Sequence, residues 1–176
     1  MQKDINSVIQ NELFKLTHKK FSKKYKDINL TPTIFSICNS KYNKFIISGS
    51  QGSGKSTLSK LIKIVIEKIS NRKIMLLSID DYYLDKDSRY QLSKKIHPLL
   101  LTRGVPGTHD TKKLKDHILQ FKKKQFPILT PTFSKLSDNI SKKTKIIKNA
   151  DILILEGWLC GAKPVEKKYL HQNINC

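Results

Sequence analysis

Gly49-Ser50-Gln51-Gly52-Ser53-Gly54-Lys55-Ser56 satisfies the pattern G-x-x-x-x-G-K-[ST]. That pattern carries chemistry only where a strand leads into it and a helix leads out. Both neighbours fit, because residues 44–48, KFIIS, form a β-branched and aromatic run, and residues 55–69, KSTLSKLIKIVIEKI, show helical periodicity. In this setting glycines allow backbone N–H groups to turn inward around phosphates, and the helix start adds partial positive charge. Lys55 can then reach the β/γ oxygens and Ser56 can offer its hydroxyl to Mg²⁺. Gly49 through Ser56, together with Thr57, form the expected ATP-binding set.

A phosphate cradle does not distinguish a kinase from a GTPase or a motor, so the other strand ends must decide. The run KIMLLSI closes on Asp80 and Asp81, and the run Ile152 to Leu155 closes on Glu156. Ligands of open α/β sheets bind beyond the carboxyl ends of the strands. An acid there can hold a Mg²⁺ water or accept a proton from an attacking hydroxyl. Asp80 is the candidate base and metal carboxylate, and Ser56 and Glu156 are the other candidate metal residues. A hydroxy acid would also need a cation for its carboxylate, and Arg103 is the natural bidentate candidate. His97 and His109 lack a third ligand at metal spacing, which argues against zinc.

These residues must be carried by a scaffold, and the seven glycines outline it by falling in clusters at 49–54, 104–107 and 157–161. Nearly all-apolar strands alternating with helices predict an α/β fold whose parallel sheet is covered on both faces. Residues 3–25 place Ile5, Val8, Ile9, Leu13, Leu16 and Phe21 at roughly helical spacing, an amphipathic extension expected to pack on the domain. Residues 90–101 and 111–123 read as helices around the loop RGVPGTHD, and polar residues 134–149 read as a surface excursion. There is no internal repeat.

Thirty-four Lys and Arg against 14 Asp and Glu give a formal charge of +20. The excess is almost all lysine, spread along the chain, with only Arg72, Arg89 and Arg103 as arginines. Surfaces that read bases favour the bidentate fork of arginine, so the distribution argues against a nucleic-acid partner while still attracting polyanions such as nucleotide triphosphates. No apolar run approaches the ~20 residues of a membrane span, and the first residues lack the core of a secretion signal. A cytoplasmic protein without a membrane partner is the expectation. Cys38, Cys160 and Cys176 are read as reduced thiols.

Across residues 40–165, GSQGSGKSTLS, SIDDYYL, HPLLLTRGVPGTHD, PTFSK and LILEGWLCGA resemble the P-loop small-molecule kinases related to D-glycerate 3-kinase, near the pantothenate, uridine and phosphoribulose kinases. The resemblance implies a nucleoside-monophosphate-kinase-like P-loop NTPase fold, a three-layer α/β sandwich. It also implies ATP and Mg²⁺ as cofactors and phosphorylation of a small hydroxyl acceptor. By that similarity Lys55 and Asp80 are catalytic, Glu156 is a second acid near Mg²⁺, and Asp81, Tyr83, Arg103, His109 and Asp110 lie on the acceptor side. Tyr82 and Trp158 could also line the pocket. The sequence departs from the family at Ser134, where an Asp is usual, and at Asn139, which follows Asp138 where an Arg is usual. The implied organisation is a helical extension at 1–40 and a kinase domain at 41–176, short of the later strands and lid. That predicts strand KFIIS at a sheet edge, and self-association or a complementing C-terminal chain as partner. D-glycerate is the best single acceptor. The alternatives are a kinase for pantothenate or a nucleoside, a nucleotide-binding module without turnover, and a basic nucleic-acid-associated NTPase.

Overall fold

The structure, a computed structural model, describes residues 2–158 together with 160 and 161. Helix α1 (Gln2–Thr17) buries Ile5, Ile9 and Leu13. It stops short of the predicted residue 25 because His18 enters the left-handed region at φ 54°. Ser22 then caps a short turn, α2 (Lys23–Tyr25), by accepting from the Tyr25 N–H at 3.1 Å. A π-helical turn (Lys26–Leu30) leads into α3 (Thr31–Asn39), which falls within the helical extension expected over residues 1–40. Its buried residues Ile34 and Ile37 face the same core as α1.

Strand β1 (Lys44–Ser48) runs into the glycine loop, and α4 (Lys55–Ile69) leaves it. Leu61, Ile62, Val65 and Ile66 repeat at helical spacing and are all fully buried, each contributing roughly 1.5–3 kcal/mol of apolar burial. Strand β2 (Ile74–Ser78) ends at a 3₁₀ turn, Ile79–Tyr82, that carries Asp80 and Asp81.

Helix α5 (Lys86–Lys95) begins earlier than predicted because Asp85 caps it, accepting from the Ser88 N–H at 2.7 Å. It also ends earlier: Pro98 cannot continue a helical ladder, and residues 98–101 form a separate 3₁₀ turn capped by His97. Helix α6 (Thr111–Lys122) follows the predicted span within a residue.

Residues 128–147 form two small antiparallel ladders. Strand β3 (Ile128–Thr130) pairs with β6 (Lys145–Ile147), and β4 (Phe133–Ser134) with β5 (Asn139–Ile140). Strand β7 (Ile152–Gly157) then inserts between β1 and β2. All three strands are parallel, with Ile47 and Ser78 both in register with Glu156. Alternation splits the sheet between two cores: Ile74, Ile152 and Ile154 face α1, α3 and α4, while Met75, Leu77 and Leu153 face α6 and β3. This is the predicted parallel sheet covered on both faces. Among the described residues β1 pairs only with β7, so it forms a sheet edge. No helix among the described residues is long and apolar enough to cross a membrane.

Candidate active site

The phosphate loop takes its shape from two left-handed glycines, Gly52 at φ 79° and Gly54 at φ 81°, the second directly at the start of α4. A side chain at either place would strain the backbone. Lys55 folds back over the loop, its Nζ donating to the Ser50 carbonyl at 3.3 Å, and needs only a rotamer change to meet an incoming phosphate. The Ser56 hydroxyl donates to Glu156 Oε1 at 3.1 Å. Glu156 is buried on the central strand, and its Oε2 has no hydrogen-bond partner among the described residues. A buried, unsatisfied carboxylate oxygen beside a hydroxyl is costly without a cation or water to complete it.

Asp80 lies across from this pair. Its Oδ1 accepts from the Tyr83 hydroxyl at 3.1 Å and its Oδ2 faces Lys135 Nζ at 3.3 Å. Burial, reinforced by the Asp80 charge, pushes the Tyr83 phenol up to about 12, so it remains a donor. Tyr83 is held in place by His109, whose ring stacks on it at 4.4 Å between centroids. Burial drives the His109 pKa down, keeping the ring neutral.

The loop after α5 is pinned to the same segment. The Leu84 N–H donates to the Thr108 carbonyl at 2.9 Å, and the Asp110 N–H donates to the Tyr82 carbonyl at 2.7 Å. That pinning puts Arg103 in the wall of a cavity of about 630 Å³ that Lys55, Ser56, Asp80, Tyr83, Lys135 and Trp158 also line. Hard oxygen donors from Ser56, Asp80 and Glu156 suit Mg²⁺, which keeps most of its waters and takes few protein ligands.

Several predicted residues are committed elsewhere. Asp81 accepts from the Phe133 N–H at 3.1 Å and from Lys145 at 2.9 Å, tying the ladders to the strand end. Asp110 caps α6 by accepting from the Lys113 N–H at 2.9 Å. Tyr82 is core, its hydroxyl 2.8 Å from His117 Nδ1. Gly52, Ser53, Gly54 and Thr57 line a second cavity, and Gly52 borders both.

Residues 134–149 form the expected surface excursion, none of them buried, and the segment also supplies Lys135 and Lys145 to the strand-end acids and Asp138 to two arginines. Arg103 Nη1 donates to Asp138 Oδ1, and Arg89 Nη2 donates to Asp138 Oδ2 at 2.9 Å. The remaining Arg89 nitrogens bond the Leu84 and Leu101 carbonyls. Buried Arg89 thus joins α5, the Arg103 loop and the ladders. Lys135 was in view as the last residue of PTFSK, whereas nothing local marked Arg89.

No protein-family profile matches the sequence. The chain is 36% identical over 132 residues to the probable ATP-dependent kinase TDA10 of Saccharomyces cerevisiae, covering 67% of this chain and 46% of that protein. It is 34% identical over 144 residues to a pantothenate kinase of Streptococcus suis, covering 78% of this chain and 44% of that one. The solved D-glycerate 3-kinase of Cryptococcus neoformans superposes with a TM-score of 0.62 at 22% identity, over 97% of this chain and 56% of that one, a likeness of fold. The chain spans about half the length of the curated relatives it matches. Identities of 36% and 34% over two thirds of this chain or more, together with the shared fold, place the chain among the P-loop small-molecule kinases.

Proposed function

We propose that the chain binds ATP and transfers its γ-phosphoryl group to a hydroxyl of a small hydroxy acid, with D-glycerate as the best single acceptor. The observation that carries this reading is the convergence of Lys55, Ser56, Asp80 and Arg103 on one cavity. In the proposed reaction the acceptor oxygen attacks the γ-phosphorus, its proton passes to Asp80, and the bond to the β-phosphate oxygen breaks to release ADP. Lys55 and the loop N–H groups hold the phosphates, so the work is positioning and charge stabilisation. Mg²⁺, held by Ser56 and Asp80 with Glu156 behind, would neutralise charge on the β- and γ-oxygens. Arg103 takes the acceptor carboxylate, a group that glycerate and pantothenate share and uridine lacks. Asp81, His109 and Asp110 act by holding the ladders, Tyr83 and α6 in place.

ADP release measured with D-glycerate, pantothenate, uridine or no acceptor tests the reading. Stimulation by glycerate above pantothenate supports it. Stimulation by uridine alone removes the role of Arg103, and ATP binding with no turnover on any acceptor supports a nucleotide-binding module instead.

A further inference from the structure

A groove of about 730 Å³ is lined by α4, by β2 and by β6. One end reaches Ser56, Asp80 and Glu156, and from there the groove follows β2 back past Leu76 and Ile74 to Lys73. The proposed phosphoryl transfer uses the first end and leaves the rest without a role. Along that stretch β2 offers a sheet edge, because β7 takes one side of it and no described strand takes the other. The Lys73 carbonyl accepts from the Ile152 N–H at 3.1 Å, so residues 73, 75 and 77 turn their backbone groups toward β7. Ile74 and Leu76 turn theirs outward. Helix α4 occupies the first of these: the Ile74 N–H donates to Glu67 Oε1 at 2.9 Å, and the Ile74 carbonyl accepts from Lys63 Nζ at 2.8 Å. The outward N–H and C=O of Leu76 have no partner among the described residues. Free groups of this kind on a strand edge are a template for one more strand.

Charge selects the kind of strand. Three of the lysines along the groove are committed: Lys63 to Glu67, Lys135 to Asp80 and Lys145 to Asp81. Lys60 on α4, Lys73 ahead of β2 and Lys148 after β6 are exposed, and none has an acidic partner among the described residues. A strand laid beside Leu76 sends alternate side chains to opposite faces of the sheet. Free ammonium groups stand on both walls, Lys60 on the helix side and Lys148 on the ladder side. The chain's own edge strand β1, KFIIS, brings a lysine and no acid, so a second copy does not match this groove.

We infer that this groove docks an extended acidic segment of a partner protein, which adds as a strand to the outer edge of β2 and sets carboxylates against Lys60, Lys73 and Lys148. Main-chain bonds to Leu76 supply the register, and the lysines supply the preference for acids. The inference stands apart from the choice of phosphoryl acceptor, since none of these three lysines belongs to the reaction centre.

The test is fluorescence anisotropy with a labelled eight-residue peptide of alternating glutamate pairs and valine pairs, a pattern that puts acids on both faces of a strand. It should bind at least tenfold more tightly than the same peptide with glutamine for glutamate, and weaken as salt rises. Lys60→Gln, Lys73→Gln and Lys148→Gln combined should weaken it at least tenfold. Lys19→Gln, Lys20→Gln and Lys23→Gln combined remove equal charge from the exposed N-terminal layer and should leave binding within twofold. All six positions are exposed, so both triple variants should keep the wild-type unfolding transition. N-methylation of every second peptide amide, made in each of the two registers, preserves charge while removing donors. One register should lose at least fivefold, because it deletes the bonds to β2. Equal affinity for the glutamine peptide, or equal loss in the two triple variants, would overturn the docking site. Unchanged affinity in both N-methylated registers would overturn strand addition. Tripolyphosphate or an eight-nucleotide oligothymidylate displacing the peptide at equal concentration would show a general attraction for polyanions, and would overturn the preference for an acidic protein segment.

Discussion

Replacing Asp138 with asparagine removes one charge at the point where two arginines meet. The Arg103 side of that junction is 34% exposed and Asp138 itself 35%, so this pair is screened by water and worth ~0–1 kcal/mol. The Arg89 side differs, because its side chain is 1% exposed. The charge-assisted bond from Arg89 Nη2 to Oδ2 is worth ~1.5–3 kcal/mol. Stripping a buried charge of its partner costs ~3–5 kcal/mol when nothing else receives it. Arg89 keeps the Leu84, Leu101 and Asp138 carbonyls as acceptors, so the full penalty is not reached. We expect Asp138→Asn to cost about 2–3 kcal/mol. For a chain of this size that lowers Tm by about 4–12 °C. The hydrogen bonds from Arg103 and then Arg89 hold the Asp138 carboxyl below its ordinary range. A depressed folded-state pKa gives stability that is present above the unfolded value and lost as pH falls through the folded one. The gap between wild type and variant should therefore be full at neutral pH and close as pH falls below about 4. Thermal and urea unfolding followed by circular dichroism across an acid series measures both features. A Tm change under about 1 °C, or a gap that does not narrow in acid, would refute the assignment of Asp138 as the counter-charge of Arg89.

Lys55→Ala should leave the unfolding transition unchanged and reduce ATP-dependent turnover by about a hundredfold or more, since the lysine is a functional charge; unchanged turnover would remove the phosphate-loop assignment. Asp80→Asn should lower kcat far more than it weakens ATP binding, because an acid that takes the proton acts on the transition state; equal loss of both would mark a structural aspartate. For Arg103→Lys, KM for an anionic acceptor should rise several-fold with KM for ATP little changed, and loss of ATP affinity alone would misplace the acceptor loop. Light scattering on the 176-residue chain should show self-association through the open edge of β1, where Ile46 is 55% exposed; a monodisperse monomer would count against it.

The parts of the fold legible in the sequence are those dictated by local periodicity and by a motif with one structural solution. KFIIS, the loop and α4 follow from adjacent residues, and the strand-end positions of Asp80 and Glu156 follow from where the apolar runs stop. Elements set by capping or by long-range contact were harder to read. The start of α5 depends on Asp85 rather than on apolar spacing. The Arg89–Asp138 junction spans residues 49 apart, so no window of sequence could reveal it. The same holds for Lys135 on Asp80, 55 residues away, and for the cavity between α1 and the phosphate loop. Asp81 and Asp110 show the converse: their residue type fits ligand chemistry, yet backbone N–H groups engage them first.

The placement of β7 between β1 and β2 bears on how the chain is made. Among the described residues neither β1 nor β2 has a sheet partner until residues 152–157 exist, because β7 lies between them. During synthesis at ~5–20 residues per second, β1 waits for about a hundred further residues before its first ladder bond can form. Pairings between distant segments are slow to close, and unpaired apolar strands are the vulnerable species while they remain open. Helices α1, α3 and α4 can shelter one face of these strands in the interval, but β7 alone among the described strands joins them into one sheet. Ribosome pausing before codon 152, or premature release there, should therefore direct the nascent chain toward chaperones rather than toward a folded intermediate.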